Sequence, residues 1–365
     1  MRDIVFILKV PPPVHGSTMM NKIVAESKQV GFSYSKEYHL ESISKNVDDI
    51  GKFSLRKIVL IIENYKSLFR KLLNHKPKLV YFAISPKGLA FYKDFISILI
   101  VKIFVSKIVY HFHVKGLKQE VENSFLKSIL YKISFRNQYG IVLSNSLKNE
   151  YESLGFKKLF IVPNGLEDYS LNYKDDRENN FVITFLSNFI REKGVMEFIE
   201  TLSLLNTENY TYTFNLIGKE GDVSNEEIIN KIKDLGLISN MEHFGPAYGD
   251  EKFKLLSKSS LFLFPTYYKS ECYPLVLIEA LQFGVPVISS NEGAISDIVT
   301  NGESGFIIDP KNIDSIVEKV KLLYNDKNLQ RRMQIEARKS YLSKNSIDKF
   351  ESKLNNVIVN IMESV

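Results

Sequence analysis

Two glutamates eight positions apart, Glu271 and Glu279, frame the segment YYKSECYPLVLIEALQFGVPVISS at residues 267–290. The second stands inside an apolar run, where a carboxylate without a hydrogen-bonding partner costs several kcal/mol. PLVLIEALQF predicts a short helix over 274–283. Pro274 suits a first helical position, and Gly284 with Pro286 suits a helix end. That helix is apolar nearly all round, which predicts burial. Its first turn would present the amides of Leu275 and Val276 and a positive dipole end, a ready phosphate site. A molecule with hydroxyls at both ends and phosphates between could meet Glu271, these amides and Glu279 at once; a nucleotide-sugar has that form. In the competing reading, Glu279 only ties down a neighbouring amide or a lysine.

The elements that must position these residues recur in two halves. Short apolar runs alternate with longer amphipathic segments. DIVFILKV, KLVYFAIS, KIVYHFHV, YGIVLSN and KLFIVPN are strand candidates in the first half. FVITFLSN, YTFNLIG, MEHFG, LFLFPT, PVISS and GFIID are candidates in the second. Such runs, separated by helical patterns, predict parallel sheets covered on both faces. The 365 residues suit two doubly wound α/β domains. The polar stretch NGLEDYSLNYKDDRENN at 164–180 reads as the linker, which gives a first domain over 1–168 and a second over 178–344. Ile347, Phe350, Leu354, Val357 and Ile361 share one side of a last helix over 345–365, which is free to pack back on the first domain.

The net charge of +6 is uneven: +12 up to residue 170 and −6 beyond it. A basic first half suggests an anionic partner there, either a phosphate-bearing substrate or a membrane surface. In SFLKSILYKISFR, Lys127, Lys132 and Arg136 stand near apolar positions and could lie on an anionic bilayer; the plainer reading is an ordinary helix of the α/β domain. Charge alone does not make a nucleic-acid binder, and no aromatic-basic motif supports one. The single cysteine, Cys272, allows no internal disulfide and fits a reducing compartment such as cytosol. No base stands at a fixed offset to make it a nucleophile. No signal peptide, membrane span or metal-ligand cluster is evident in the sequence.

The stretch from about 181 to 310 resembles the family 4 retaining glycosyltransferases of the GT-B fold, of the type that builds bacterial surface polysaccharides. Glu271, Glu279, Ala280 and Gly284-Val-Pro-Val reproduce the family's E-x7-E signature with its following Ala and G-x-P-V. The resemblance implies two Rossmann-like domains facing across a cleft that closes over the donor. It implies transfer of a sugar from a nucleotide-sugar, such as a UDP- or GDP-sugar, to a glycan or lipid-linked acceptor hydroxyl with retained configuration. It implies no metal and no other cofactor, in a cytoplasmic enzyme peripheral to the inner membrane face. Lys193 resembles the lysine that pairs with the donor diphosphate. Asn188 stands where the family often has an arginine, and Arg191 is a substitute cation. Gly16 resembles the glycine of the loop after the first strand, and His113 the histidine near the reacting centre. His111 shares the face of His113 but lies farther from the loop. Glu271 is read as a clamp on sugar hydroxyls, not a nucleophile. Base contacts would come partly from backbone near FGPAY. The other class kept open is a catalytically weak GT-B-like protein that binds or regulates a partner.

Overall fold

A computed structural model describes residues 3–41, 55–174, 177 and 180–364. It divides into two compact units, Met1–Gly165 with Asp348–Val365, and Leu166–Ile347. Each is built on a six-stranded parallel sheet.

In the first unit the strands are β1 (Ile4–Lys9), β2 (Lys36–Glu41), β3 (Leu79–Ile84), β4 (Ile108–Phe112), β5 (Tyr139–Val142) and β6 (Lys158–Ile161), in the order β2-β1-β3-β4-β5-β6. β3 reads LVYFAI and is buried along its whole length, as a strand covered on both faces must be. Phe82, Tyr110 and Phe112 of the sheet meet Phe91, Tyr131 and Phe135 of the covering helices in one core. β2 is absent from the expected strands. Its sequence, KEYHLE, is half charged, and it lies at a sheet edge against β1 alone. An edge strand needs little apolar surface, so composition does not betray it.

The last helix, Ile347–Glu363, belongs to this unit apart from its first residue. It buries Phe350, Leu354, Val357, Ile358 and Ile361. Gly31 N donates to Asn355 Oδ1 at 3.0 Å, and Lys107 Nζ donates to the Ile361 carbonyl at 3.2 Å.

In the second unit β7 (Val182–Leu186), β8 (Thr213–Ile217), β9 (Met241–Gly245), β10 (Leu261–Phe264), β11 (Val287–Ser290) and β12 (Gly305–Ile308) take the order β12-β11-β10-β7-β8-β9. The chain leaves β7 toward one side of the sheet and leaves β10 toward the other. In open α/β sheets, ligands bind at such a switch point, beyond the carboxyl ends of the strands. The unit begins before the expected linker ends: Leu166 pairs with Ser346, and Asp168 is held by both guanidinium nitrogens of Arg338.

Candidate functional site

The loops after β7 and β10 meet at that switch point. After β7 the chain passes through one 3₁₀ turn, Arg191–Lys193, into helix Val195–Thr207. Gly194 holds φ +86°, and a Cβ there would lie 2.4 Å from the Pro265 carbonyl oxygen, so only glycine lets the two loops touch. Tyr267 N and Thr266 Oγ1 both donate to the Glu192 carbonyl, at 2.8 and 3.2 Å.

This seam brings Lys193 to Glu271. The two form an ion pair, with side chains 16% and 8% exposed. The Lys193 ammonium also lies 4.6 Å from the centre of the Tyr268 ring. Glu271 is fixed from behind: Ala294 N donates to the Cys272 carbonyl at 2.8 Å, and a Cβ on Gly293, at φ +58°, would lie 2.2 Å from the Glu271 carbonyl oxygen. Cys272 is buried.

The helix that carries Glu279 runs Leu275–Gln282, one residue shorter at each end than the spacing predicts. Pro274 is its N-cap and not its first helical residue; ψ 116° keeps it extended. Proline has no side-chain acceptor to cap the helix, so the amides of Leu275 and Val276 take no cap from it. The helix is not buried all round. Leu277, Ile278, Ala280, Leu281 and Gln282 are buried, while Leu275, Val276 and Glu279 are half-buried. The Glu279 side chain is 16% exposed and pairs with Lys252 Nζ at 2.6 Å. It therefore sits at the rim of the helix's buried face, and a lysine offsets its charge. Lys252 comes from helix Gly249–Lys258, which follows β9. No motif marks it: it lies 27 positions before its partner and reaches it only through the fold. Gly293 is likewise invisible as a site residue in the sequence.

Asn188 is exposed in the loop after β7. Arg191 is exposed in the 3₁₀ turn that follows that loop. Its guanidinium pairs with Glu227 at 2.6 Å, and its amide donates to Asp222 Oδ1 at 2.7 Å. In FGPAY, Gly245 ends β9 and its carbonyl accepts from Gly218 N at 3.0 Å.

In the first unit Gly16 is exposed and opens helix Gly16–Glu26, directly after the β1 loop. His15 caps it: Nδ1 accepts from Thr18 N, and Thr18 Oγ1 accepts from His15 N at 3.1 Å. His113 stands one residue past the end of β4, not within it. Its ring is 4.2 Å from that of His111, centroid to centroid, so the two share a face as alternation requires. They differ in partnership. His111 Nδ1 is bonded to the Tyr81 hydroxyl, whereas among the described residues neither ring nitrogen of His113 has a partner. Burial, and then the neighbouring charge of His15, push His113 down to about 4, so at neutral pH its imidazole is uncharged. Among the described residues no group of three or more His, Cys, Asp or Glu could hold a metal.

Comparison with known proteins bears on the fold and on the kind of protein the chain resembles. Residues 167–340 match the family described as glycosyl transferases group 1. The capsular polysaccharide biosynthesis glycosyltransferase CapM of Staphylococcus aureus is 25% identical over 351 residues, covering 87% of this chain and 88% of that protein. The UDP-Gal:alpha-D-GlcNAc-diphosphoundecaprenol alpha-1,3-galactosyltransferase of Escherichia coli is 27% identical over 203 residues, 50% of this chain and 51% of that protein. The crystal structure of Anabaena HepE in complex with UDP superposes with a TM-score of 0.74 at 15% identity, covering 100% of both chains. The chain thus has the GT-B fold of two Rossmann-like domains, and its residues 167–340 are similar to the glycosyl transferases group 1.

Proposed function

We propose that this glycosyltransferase moves a sugar from a nucleoside-diphosphate sugar to a hydroxyl of a lipid-linked glycan, with retained anomeric configuration, in capsule or O-antigen assembly. The observation that carries this reading is the Lys193–Glu271 pair at the switch point of the second sheet, beside the uncapped start of helix Leu275–Gln282. Lys193 and the amides of Leu275 and Val276 would take the diphosphate, and Glu271 the hydroxyls of the transferred sugar. Glu279, released from Lys252, would take the ribose. The Asn188 side chain could add a neutral hydrogen bond to a phosphate. A cation and a helix end already offset the charge that develops on the leaving diphosphate, so this reading takes no metal and no cofactor. The leaving phosphate itself would take the acceptor proton. In the first unit, taken by itself, the Gly16 backbone admits close approach of a ligand, and the neutral ring of His113 can bond a hydroxyl. The acceptor class follows the names of the capsular and diphosphoundecaprenol relatives.

The test is hydrolysis and transfer with a panel of UDP-, GDP- and ADP-sugars. We expect one donor to be turned over, with an axial or equatorial anomer kept in the product by NMR. Chelation with EDTA should leave the rate unchanged. Glu279→Ala should weaken that donor by about tenfold or more, the loss of a charge-assisted hydrogen bond. Undiminished turnover and donor affinity in Glu279→Ala would remove the reading.

A further inference from the structure

Lys252 and Glu279 meet because two helices begin at the same edge of the second sheet. The order β10-β7-β8-β9 makes the chain recross β8 and β7 on its way from β9 to β10. Helix Gly249–Lys258 makes that crossing, and helix Leu275–Gln282 starts beyond β10. Lys252 stands in the first turn of one and Glu279 in the second turn of the other. Phe253, beside the lysine, anchors its helix: its ring stacks on Tyr169 at 4.5 Å and on Phe283 at 5.9 Å, between centroids. The backbone is thereby held, while the Lys252 ammonium rides on a flexible four-carbon stem. Leaving Glu279 takes a side-chain rotation and no movement of the helix.

The Glu279 carboxylate is half satisfied. Lys252 Nζ donates to Oε1 at 2.6 Å, whereas Oε2 takes no hydrogen bond among the described residues. A carboxylate meets the cis-diol of a ribose fully when each of its oxygens accepts from one hydroxyl. Here one of the two is already taken. The ammonium also brings a full opposite charge, which a hydroxyl lacks. With side chains 18% and 16% exposed, the pair is only partly screened by water.

We propose that Lys252 is an internal competitor of the donor: it occupies one of the two oxygens that the ribose diol uses, and so sets how strongly the site distinguishes a ribose from a sugar without that diol. This rests on Glu279 taking the ribose and adds the residue that opposes it. The fraction of molecules in which the pair is closed is closed to the diol, and apparent affinity falls accordingly. After transfer the same lysine is at hand to reclaim the carboxylate, which favours release of the nucleoside diphosphate.

Titration calorimetry of the full-length protein tests it. UDP, GDP and ADP identify the diphosphate that binds, and its 2′,3′-dideoxy form is the probe without the diol. The readout is the ratio of the two affinities, from which any pull of Lys252 on the phosphates cancels. Lys252→Met should widen that ratio about fivefold, the weight of an ion pair that no longer has to be broken. Lys252→Gln keeps a donor for Glu279 without the charge and should widen it by less. Binding of the dideoxy form to either variant shows that the unit is folded. A ratio unchanged or narrowed in both variants would overturn the proposal, because the lysine would then steady the carboxylate for the ribose instead of competing with it. Glu279→Ala isolates the underlying assignment: its ratio should fall to about one. A ratio that stays at the wild-type value there, or binding of none of the three diphosphates, would remove the ribose contact itself and the proposal with it.

Discussion

Lys193 and Glu271 neutralise each other, so truncating either strands a buried charge. Lys193→Ala should lower turnover by about 100- to 1,000-fold, the usual loss for one donor to a developing oxyanion. It should also cost about 3 kcal/mol of stability in the second unit, because Glu271 is left 8% exposed and unpaired. Replacing both residues, Lys193→Met with Glu271→Gln, should restore most of the stability and none of the turnover. Urea melts beside rate measurements separate the two effects. His113 makes a prediction about pH. Its folded value is depressed, so the unfolded chain binds the proton first, and stability falls as pH drops from about 6.5 toward 4. By pH 5 this side chain should cost the first unit about 2 kcal/mol. His111, also held well below its ordinary value by burial, adds with the same sign. His113→Gln should flatten the pH dependence of urea midpoints between pH 5 and 7; an unaltered slope would refute it. At this scale the sequence shows the glutamate pair and Lys193, because they sit in one run and one turn. It hides Lys252 and Gly293, whose roles exist only once the loops and helices that follow β9, β10 and β11 meet on one sheet.

Elements were legible where their apolar pattern is strong. The eleven expected strands all lie in the two sheets, each trimmed by a residue or more at the ends except MEHFG. Ends are set by hydrogen bonding and not by composition, which is why KIVYHFHV and LFLFPT run past their strands. β2 was missed because an edge strand can be polar. The helix that carries Glu279 was placed within one residue at each end, but its solvent rim was not, since helical spacing does not say which neighbours arrive. The last helix shows the opposite case: its apolar face, read from spacing, is the face that is buried. Leu354→Ala should therefore destabilise the first unit by about 3 kcal/mol through the cavity it leaves. The second unit's unfolding should not change. Residue-resolved hydrogen exchange distinguishes the two.

Across the whole molecule, two sheets with separate cores imply two responses to ligand. A nucleoside diphosphate that binds the second unit should raise that unit's stability by about 2.7 kcal/mol at a hundredfold excess over Kd. Exchange in β1–β6 should be unmoved by the same addition. Protection confined to the first unit would place the diphosphate elsewhere. The basic half suggested by the sequence is real as a count, but a count cannot show where on a surface it falls. In the fold Lys71, Lys93 and Lys127 pair with Glu37, Glu41 and Glu120, so part of that excess is neutralised where it stands.

One feature of the chain path bears on how the protein is made. The helix that buries Phe350, Leu354 and Ile361 in the first core is translated after the entire second unit. On the ribosome, residues 1–165 must therefore wait with one wall of their core unfilled, while the later-born unit can close first. The order of synthesis and the order of completion are inverted, and the exposed interval is when a chaperone would find the nascent chain.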